Sequence, residues 1–422
     1  MAENTLLSVD EALEHVLARF ERLPAEEIAI SEALERVLAQ DVRAANDLPP
    51  FANSSMDGYA VRAEDVIDAA NNTPAILDVI ADIPAGSMPQ VHIGPGQAAR
   101  IMTGAPMPAG ANAVVPVEET DDAPRGLNSG DRLAAPPPAR IGVRKASATG
   151  DYVRPVGEDV RAGQTVLRQG RVLRAADLGV LAGLGIPRVQ VIRQPVVAVL
   201  STGDELLDAD APLTPGKIRD MNGYAIPALA QQAGARVVRL GIARDTIDDV
   251  RAHFEHALDA KADLILSSAG VSVGAFDVVK TVIESLGGIS FWRVNMRPGK
   301  PLAFGTVHGI PFLGLPGNPV SAMVSFEVFA RPAILKMAGR DWHSLTTEAE
   351  LAEAMRSDGR QSYIRVTLER SNGKLIAHST GNQSSGMLTS LVNADGLLIV
   401  PAGMTEIFAG TRLPVRLLTD NL

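Results

Sequence analysis

The residues with the clearest chemical potential lie in a glycine-containing loop, Ser267 to Gly274, followed closely by Asp277. The glycines let backbone N–H groups approach a ligand, and a helix predicted from Val278 to Leu286 adds partial positive charge, so the loop suits phosphate or another oxyanion. A carboxylate beside an anion site is repulsive unless a divalent cation or a proton lies between them. The pattern indicates a metal-bridged phosphate, although a tight turn with an acidic helix cap would look the same.

A second segment, Arg297-Pro298-Gly299-Lys300-Pro301, holds two cations three residues apart. Prolines keep this backbone extended, Arg can bind two oxygens of an oxyanion at once, and Lys supplies a point charge. A solvated basic turn is the alternative. The sequence contains no histidine pair at metal-ligand spacing, no Gly-x-Ser-x-Gly elbow and no Walker loop.

Four polar segments follow predicted strands, namely Ser201–Glu205, Arg244–Asp245, Ser267–Gly274 and Leu315–Pro319. In an open α/β sheet, ligands bind outside the carboxyl ends of the strands. We therefore expect all four segments to converge on one edge of a sheet, which favours a binding site over four unrelated turns.

Bulk composition excludes several classes of protein. The 422 residues suffice for several domains, and the net charge of −10 argues against a broad nucleic-acid surface. The sequence has no Cys, which excludes disulfides, thiolate metal sites and a cysteine nucleophile. No apolar run is long enough for a membrane span, and the first residues lack a signal-peptide pattern, so we expect a cytoplasmic protein.

The apolar periodicity predicts a multi-domain α/β plus β protein. A capping box at Ser8 opens a first helix to about Leu23, and a second helical segment carries Leu34, Val37 and Leu38. The expected domains are an elongated arm (1–45 and 140–194), a β-rich insertion (46–139), a doubly wound α/β domain (195–342) and a C-terminal β-barrel (343–422).

Strands and helices alternate in the expected α/β domain. The predicted strands are 196–200, 236–242, 264–267, 289–294 and 312–315. The predicted helices are 222–232, one along Ile247 to Leu258, 278–286 and a last one capped by Asn318, opened by Pro319 and bent at Pro332.

Seven motifs taken in order resemble the molybdopterin molybdenumtransferases, the bacterial MoeA family, which is similar to the gephyrin E domain. They are Met56-Asp57-Gly58-Tyr59-Ala60 after Pro49-Pro50-Phe51, Ile101 to Pro106, Gly157-Glu158-Asp159, Ser201 to Leu206, Gly270 to Gly274, Pro298-Gly299-Lys300-Pro301 and Leu315 to Pro319. The resemblance spans the whole chain. It implies an α/β domain resembling the molybdopterin adenylyltransferase fold, and an enzyme that inserts molybdenum from molybdate into adenylylated molybdopterin and releases AMP with Mg²⁺ present.

The resemblance also implies roles for individual residues. Asp277 and Glu205 would hold the metal, and Asp277, Asp57 and Lys300 would be catalytic. Substrate would be bound by Thr103, Asp159, Glu205, Asp245, Gly270, Ser272, Gly274, Arg297, Pro301, Pro316, Asn318, Arg365 and Ser385. Two residues depart from the family pattern, because Arg297 stands where Lys is common and Ala269 where Gly is usual.

A homodimer with composite sites is a further implication, with Asp57 and Thr103 of one subunit facing the α/β domain of the other. The molybdopterin adenylyltransferase and chaperones of molybdoenzymes are further suggested partners. Two alternatives stay open: an adenylyltransferase that uses ATP on molybdopterin, and a gephyrin-like scaffold that binds a receptor peptide.

Overall fold

A computed structural model of the protein describes residues 6–123, 136–268 and 276–418, with the backbone alone at 276–277 and 290–292. The described chain forms two compact units. The first contains the residues up to 28, 33–39 and those from 190 onward, and the second contains 29–32 and 40–189. The domain boundaries expected from the sequence remain a prediction.

The first helix, α1, spans Val9–Leu17 and begins at the expected capping box. The Ser8 hydroxyl accepts from the Glu11 backbone N–H at 3.2 Å, while the Glu11 carboxylate accepts from the Ser8 N–H at 2.8 Å. The helix ends earlier than the expected Leu23, because the backbone N–H of Leu23 donates to the Met337 carbonyl (2.9 Å) outside the helix.

The expected second helical segment at 34–38 is wrong. Only a 3-10 turn, Ile30–Glu32, precedes it, and Leu38 instead forms an isolated antiparallel bridge with Val191. The Ile192 N–H donates to the Val37 carbonyl at 2.8 Å, so these backbone groups pair with a strand rather than with a helix.

A seven-stranded sheet forms the α/β core of the first unit. Its strands are β1 (Leu6–Leu7), β2 (Val196–Thr202), β3 (Arg236–Ala243), β4 (Leu264–Ser268), β5 (Gly287–Val294), β6 (Pro301–Val307) and β7 (Ile310–Leu315). Their order across the sheet is β1, β5, β6, β7, β4, β2, β3. Strand β6 was not predicted, and it runs antiparallel to both of its neighbours.

Helices cover both faces of this sheet, as the predicted doubly wound α/β class requires. Besides α1, the helices packed on this sheet are α2 (Asn222–Gln232), α3 (Ile247–Asp259), α4 (Phe276–Leu286), α5 (Pro319–Ser325) and α6 (Arg331–Met337). A π-helical segment, Phe326–Ala330, joins α5 to α6 just before the proline at which a bend was predicted. One core contains residues of α1, α2, α5 and α6, and the core on the other face contains residues of α3 and α4.

The C-terminal region is a closed five-stranded barrel, as predicted. Its strands in spatial order are Gln361–Ser371, Lys374–Ser379, Thr346–Leu351, Arg412–Leu417 and Gly396–Val400, and the last pairs with the first. Its interior is apolar, with Val366, Leu398 and Val415 fully buried. A short helix, Thr389–Val392, lies in the segment of chain that connects the strands Lys374–Ser379 and Gly396–Val400.

The second unit has a five-stranded sheet, as the β-rich pattern predicts. Its strands in spatial order are Ala113–Pro116, Gly58–Val61, Gln97–Ile101, Ala75–Ile83 and Arg140–Val143. This unit also contains a helix, Ala175–Gly183. Gly58 must be glycine, because a Cβ there would lie 2.0 Å from the Val115 carbonyl oxygen.

Candidate functional site

The carboxyl ends of four parallel strands meet at one edge of the α/β sheet. Strand β2 pairs in parallel with β3 and β4, and β4 pairs in parallel with β7. The polar segments that follow these strands therefore share this edge, as expected from the sequence. The loop residues 269–275, with Gly270, Ser272 and Gly274, lie outside the described residues, and Asp277 lies in the first turn of α4 without a described side chain.

The unpredicted strand β6 explains how the basic segment reaches the same edge. Because β5 and β7 both run antiparallel to β6, they end on the same side of the sheet, and residues 295–300 turn there before β6 begins at Pro301. Gly299 is required in this turn. Its φ is 105°, and a Cβ would lie 2.5 Å from the Ser325 hydroxyl.

A 520 Å³ cavity opens beside this turn. It contains Arg297 and Lys300 from the turn and Ser385 from a barrel loop, so three of the predicted site residues meet here. The complete lining is Arg297, Pro298, Gly299, Lys300, Ser321, Arg360, Asn382, Gln383, Ser384 and Ser385. We call it the cationic cavity, because three basic side chains line it.

Arg365 lies in an adjoining 290 Å³ cavity that shares Arg297, Pro298 and Gln383 with the cationic cavity. Only 1% of Arg365 is exposed. Burial, together with the charge of Arg297, lowers the pKa of the Arg365 guanidinium to about 10. Even so, Arg365 remains protonated at neutral pH and adds positive charge beside the cationic cavity.

Hydrogen bonds join the loop at the end of β7 to α2 and to the barrel loop that lines the cavity. Buried Pro316 and exposed Asn318 flank Gly317, whose carbonyl oxygen accepts from the Asn222 side chain at 2.8 Å. In the first turn of α5, the N–H of Val320 donates to the Ser385 carbonyl at 3.2 Å. These bonds hold the predicted residues Asn318 and Ser385 on adjacent segments.

Arg297 has a nearby countercharge that sequence reasoning missed. Its Nη1 lies 3.6 Å from Oδ2 of Asp358, and Asp358 is also bonded by Arg360. The bond from Arg360 lowers the pKa of Asp358, so this carboxylate stays ionised. The run of turn residues from Gly381 to Ser385 was the available signal for the barrel's contribution, but it gives no indication of Asp358 or Arg360.

Carboxylates gather after β2 and β3 at the same edge. The N–H of Asp245 donates to Asp204 Oδ1 at 3.3 Å, and the exposed Glu205 folds over Gly203, where a Cβ would lie 2.5 Å from Glu205 Oε2. Burial raises the pKa of Asp245; the hydrogen bond with Asp204 opposes this rise, and the charges of Asp204 and Glu205 add to it. Its Oδ1 is buried and has no hydrogen-bond partner among the described residues.

We call Asp204, Glu205 and Asp245 the acidic group. Their side chains suit a hard divalent cation, because carboxylate oxygens are the ligands that Mg²⁺ prefers. A cation would relieve the repulsion that raises the pKa of Asp245 and would supply the missing partner of its buried oxygen. Within the described side chains, which do not include that of Asp277, no three acidic or histidine side chains are already grouped as a complete metal site.

In the second unit, Asp57 and Thr103 are joined directly. Oδ1 of Asp57 accepts from the backbone N–H and from the hydroxyl of Thr103, each at 2.7 Å. Both residues are exposed, so the pair is open to a ligand. Asp159 lies elsewhere in this unit, in a turn where its N–H donates to the Leu48 carbonyl at 3.0 Å.

Comparisons with known proteins agree along the chain. Residues 7–185 match the MoeA N-terminal region (domain I and II), residues 198–336 match a probable molybdopterin binding domain, and residues 348–418 match the MoeA C-terminal region (domain IV). In the described part of the chain, no helix is both long and apolar enough to cross a membrane.

Full-length relatives carry one name. Molybdopterin molybdenumtransferase 2 of Mycobacterium tuberculosis (strain ATCC 25618 / H37Rv) is 41% identical over 397 residues, which cover 92% of this chain and 94% of the relative. Molybdopterin molybdenumtransferase of Bacillus subtilis (strain 168) is 34% identical over 424 residues, covering 100% of this chain and 96% of the relative.

A solved structure supports the same assignment. The crystal structure of the molybdopterin biosynthesis MoeA protein from Pyrococcus horikoshii is similar to this chain with a TM-score of 0.78 and 31% identity, covering 98% of this chain and 100% of that one. Sequence identity, coverage and architecture agree from the first helix to the last strand of the barrel. The chain belongs to the molybdopterin molybdenumtransferase, or MoeA, family.

Proposed function

We propose that this protein is a transferase of molybdenum cofactor biosynthesis that inserts molybdenum from molybdate into adenylylated molybdopterin and releases AMP. One observation carries the proposal. The cationic cavity, with Arg297 and Lys300, and the acidic group, with Glu205 and Asp245, lie at the same edge of one sheet. An oxyanion and a metal-bridged phosphate could then bind along the same edge, with the ends of β7 and β4 between them.

The basic side chains provide the oxyanion half of the site. Arg297 presents several donors in one plane and Lys300 a single charge, so together they can hold a dianion until the dithiolene sulfurs of the substrate replace its oxygens. The hydroxyls of Ser321 and Ser385 line the same cavity and can donate to the remaining oxygens. Asp358 partly neutralises Arg297 and keeps it beside the cavity while no anion is bound.

The carboxylates provide the part of the proposed site that binds the phosphates of the substrate through a metal ion. Glu205, Asp245 and Asp277 would hold Mg²⁺, which when bound would supply neutralisation of phosphate charge. Water would attack the pyrophosphate linkage of the substrate, and the bond to AMP would break so that AMP leaves. The residues after β2, β3 and β7 would orient the adenylylated substrate across this edge, including Pro316 and Asn318. The Asp57–Thr103 pair would contact the substrate from outside the α/β sheet.

We further propose that the protein acts as a cytoplasmic homodimer. The resemblance to the MoeA family supports this proposal, and the adenylyltransferase that makes the substrate is the partner expected before it. Size-exclusion chromatography with light scattering would test the dimer.

Measuring AMP release from purified protein with adenylylated molybdopterin, with and without molybdate and Mg²⁺, tests the proposed function. Release that needs both ions supports insertion. An enzyme that consumes ATP and molybdopterin and forms pyrophosphate would be an adenylyltransferase instead, and a protein that binds the pterin without turnover would fit a scaffold.

Replacing Lys300 with Ala should mainly raise the molybdate concentration needed for turnover, by roughly ten- to a hundredfold, because one charge-assisted contact is lost. Turnover as a function of molybdate concentration measures this. A suitable control is Lys374→Ala, since Lys374 is an exposed lysine paired with Glu350 on the barrel. If turnover in Lys300→Ala depends on molybdate concentration as in the wild-type protein, Lys300 does not contribute to molybdate binding.

The Mg²⁺ requirement should depend on pH through Asp245. Because the pKa of Asp245 is raised, protons compete with the cation at a higher pH than they would for an ordinary carboxylate. The Mg²⁺ concentration at half-maximal turnover should therefore rise as the pH falls. In Asp245→Asn, this concentration should be higher than in the wild-type protein at neutral pH, less dependent on pH, and similar to the wild-type value at low pH. Parallel Mg²⁺ titration curves for the two proteins across pH would contradict the assignment.

A further inference from the structure

The guanidinium of Arg365 makes hydrogen bonds to three other residues of the C-terminal region. Its Nε donates to the Ser390 hydroxyl at 3.0 Å, and its Nη2 donates to the carbonyl oxygens of Asn382 and Ser384 at 3.3 and 3.0 Å. A guanidinium is planar, so fixing Nε and Nη2 also fixes the direction of Nη1. No hydrogen bond joins Nη1 to any described residue, although Arg365 lines the adjoining 290 Å³ cavity.

The hydroxyl of Ser390 is positioned to accept the hydrogen bond from Arg365 Nε. It lies in the short helix Thr389–Val392 and is 6% exposed. Its hydroxyl donates to the Met387 carbonyl at 2.6 Å. Because the single hydroxyl proton is used there, the oxygen presents only lone pairs to Arg365 Nε and acts there as an acceptor.

The loop held by Arg365 forms one wall of the cationic cavity. Residues Asn382 to Ser385 all line that cavity. Gln383 strengthens the attachment, since its Oε1 accepts from the Arg365 backbone N–H at 3.0 Å and its Nε2 donates to the Arg365 carbonyl at 3.2 Å. The loop is therefore bonded to Arg365 through both the guanidinium and the backbone of that residue.

We propose that Ser390 is a positioning residue for oxyanion binding, acting through Arg365 and the loop Asn382–Ser385. The proposal rests on the proposed function, because it assumes that molybdate binds in the cationic cavity. Ser390 fixes the plane of the guanidinium. The guanidinium in turn holds the loop wall with Nη2. Ser390 itself does not contact the ligand.

Losing the hydroxyl of Ser390 leaves the buried Nε of Arg365 without an acceptor. The guanidinium can recover that bond only by rotating, which breaks its bonds to the loop. A hydrogen bond to a charged group is strong enough that we expect roughly tenfold weaker molybdate binding in Ser390→Ala. Binding of the adenylylated pterin should change little.

Two measurements test the proposal. Isothermal titration with sodium molybdate gives binding without turnover, and kinetics give the KM for molybdate, the KM for adenylylated molybdopterin and kcat separately. Ser285→Ala is the matched control, because the Ser285 hydroxyl makes the same kind of bond, to the Val282 carbonyl at 2.7 Å, near the end of α4. Thermal unfolding shows whether each variant is folded.

We expect Ser390→Ala to weaken molybdate binding and raise its KM, with the pterin KM and the Ser285→Ala variant unchanged. Should Ser390→Ala fail to fold, Ser390→Thr can be compared with Ser390→Val instead. The two side chains have nearly the same shape, and only Thr carries a hydroxyl. Wild-type binding in the variant without a hydroxyl, or an equal rise in both KM values, would overturn the proposal. If the wild-type protein binds no molybdate, the proposed function itself fails, and the role of Ser390 fails with it.

Discussion

Replacing Asp277 with Asn should abolish AMP release and leave the fold intact. Asp277 lies in the first turn of α4, directly after the glycine-containing loop that is expected to cradle the phosphates. An amide has nearly the same shape as a carboxylate but is a poor ligand for a hard cation. Removing a single electrostatic contact at a reacting centre typically costs roughly a hundred- to a thousandfold, and we expect at least this loss.

The measurement is Mg²⁺-dependent AMP release, with thermal unfolding as the test of folding. Asp259→Asn is a suitable control, because Asp259 is the last residue of α3 and precedes β4, at the edge where that strand begins. Near wild-type turnover in Asp277→Asn, still dependent on Mg²⁺, would remove Asp277 from the metal site.

The second large effect should appear in mixed dimers. Asp57 belongs to one compact unit of the chain, whereas the cationic cavity and the acidic group belong to the other. In a symmetric dimer every contact is made twice, so two composite sites would form if each needed both subunits. Homodimers of Asp57→Ala and of Asp277→Ala should both be inactive, whereas a dimer with one of each keeps one intact site.

Co-expressing the two variants with different tags and purifying through both tags isolates the mixed dimers. We expect about half of the wild-type activity per dimer from one intact site in two. The control is the same preparation made with Asp57→Ala on both chains. Mixed dimers no more active than the homodimers would mean that each site is built from a single subunit, or that Asp57 only shapes its turn beside Thr103.

Local patterns identified the α/β region well, because its buried strands are continuous apolar runs. Strands β2, β3 and β4 and helix α2 lie where periodicity places them. The rule on carboxyl ends correctly predicted that the polar segments after these strands share one edge of the sheet. Strand β6 was missed because it begins at a proline and contains Gly305, two residues that normally weaken a strand.

The site could be predicted only in part, because its residues come together through long-range packing. Arg297 and Lys300 are close in sequence, and the structure brings Ser385 to them in one cavity. The Asp358 countercharge and the Ser390 support of Arg365 depend on how the barrel closes, which no local pattern encodes. The hydrogen bonds between Asp57 and Thr103 join two motifs that suggested a pair only through family resemblance.

The position of α1 in the α/β core has a consequence for synthesis on the ribosome. The Lys336 ammonium donates to the Leu17 carbonyl at 2.9 Å, and these residues are 319 positions apart. Synthesis proceeds at about 5–20 residues per second, so roughly 15 to 65 s pass between the synthesis of α1 and that of its partner helix, α6. During that time the second unit emerges complete. We therefore expect a nascent-chain intermediate in which that unit is folded while α1 is exposed to chaperones.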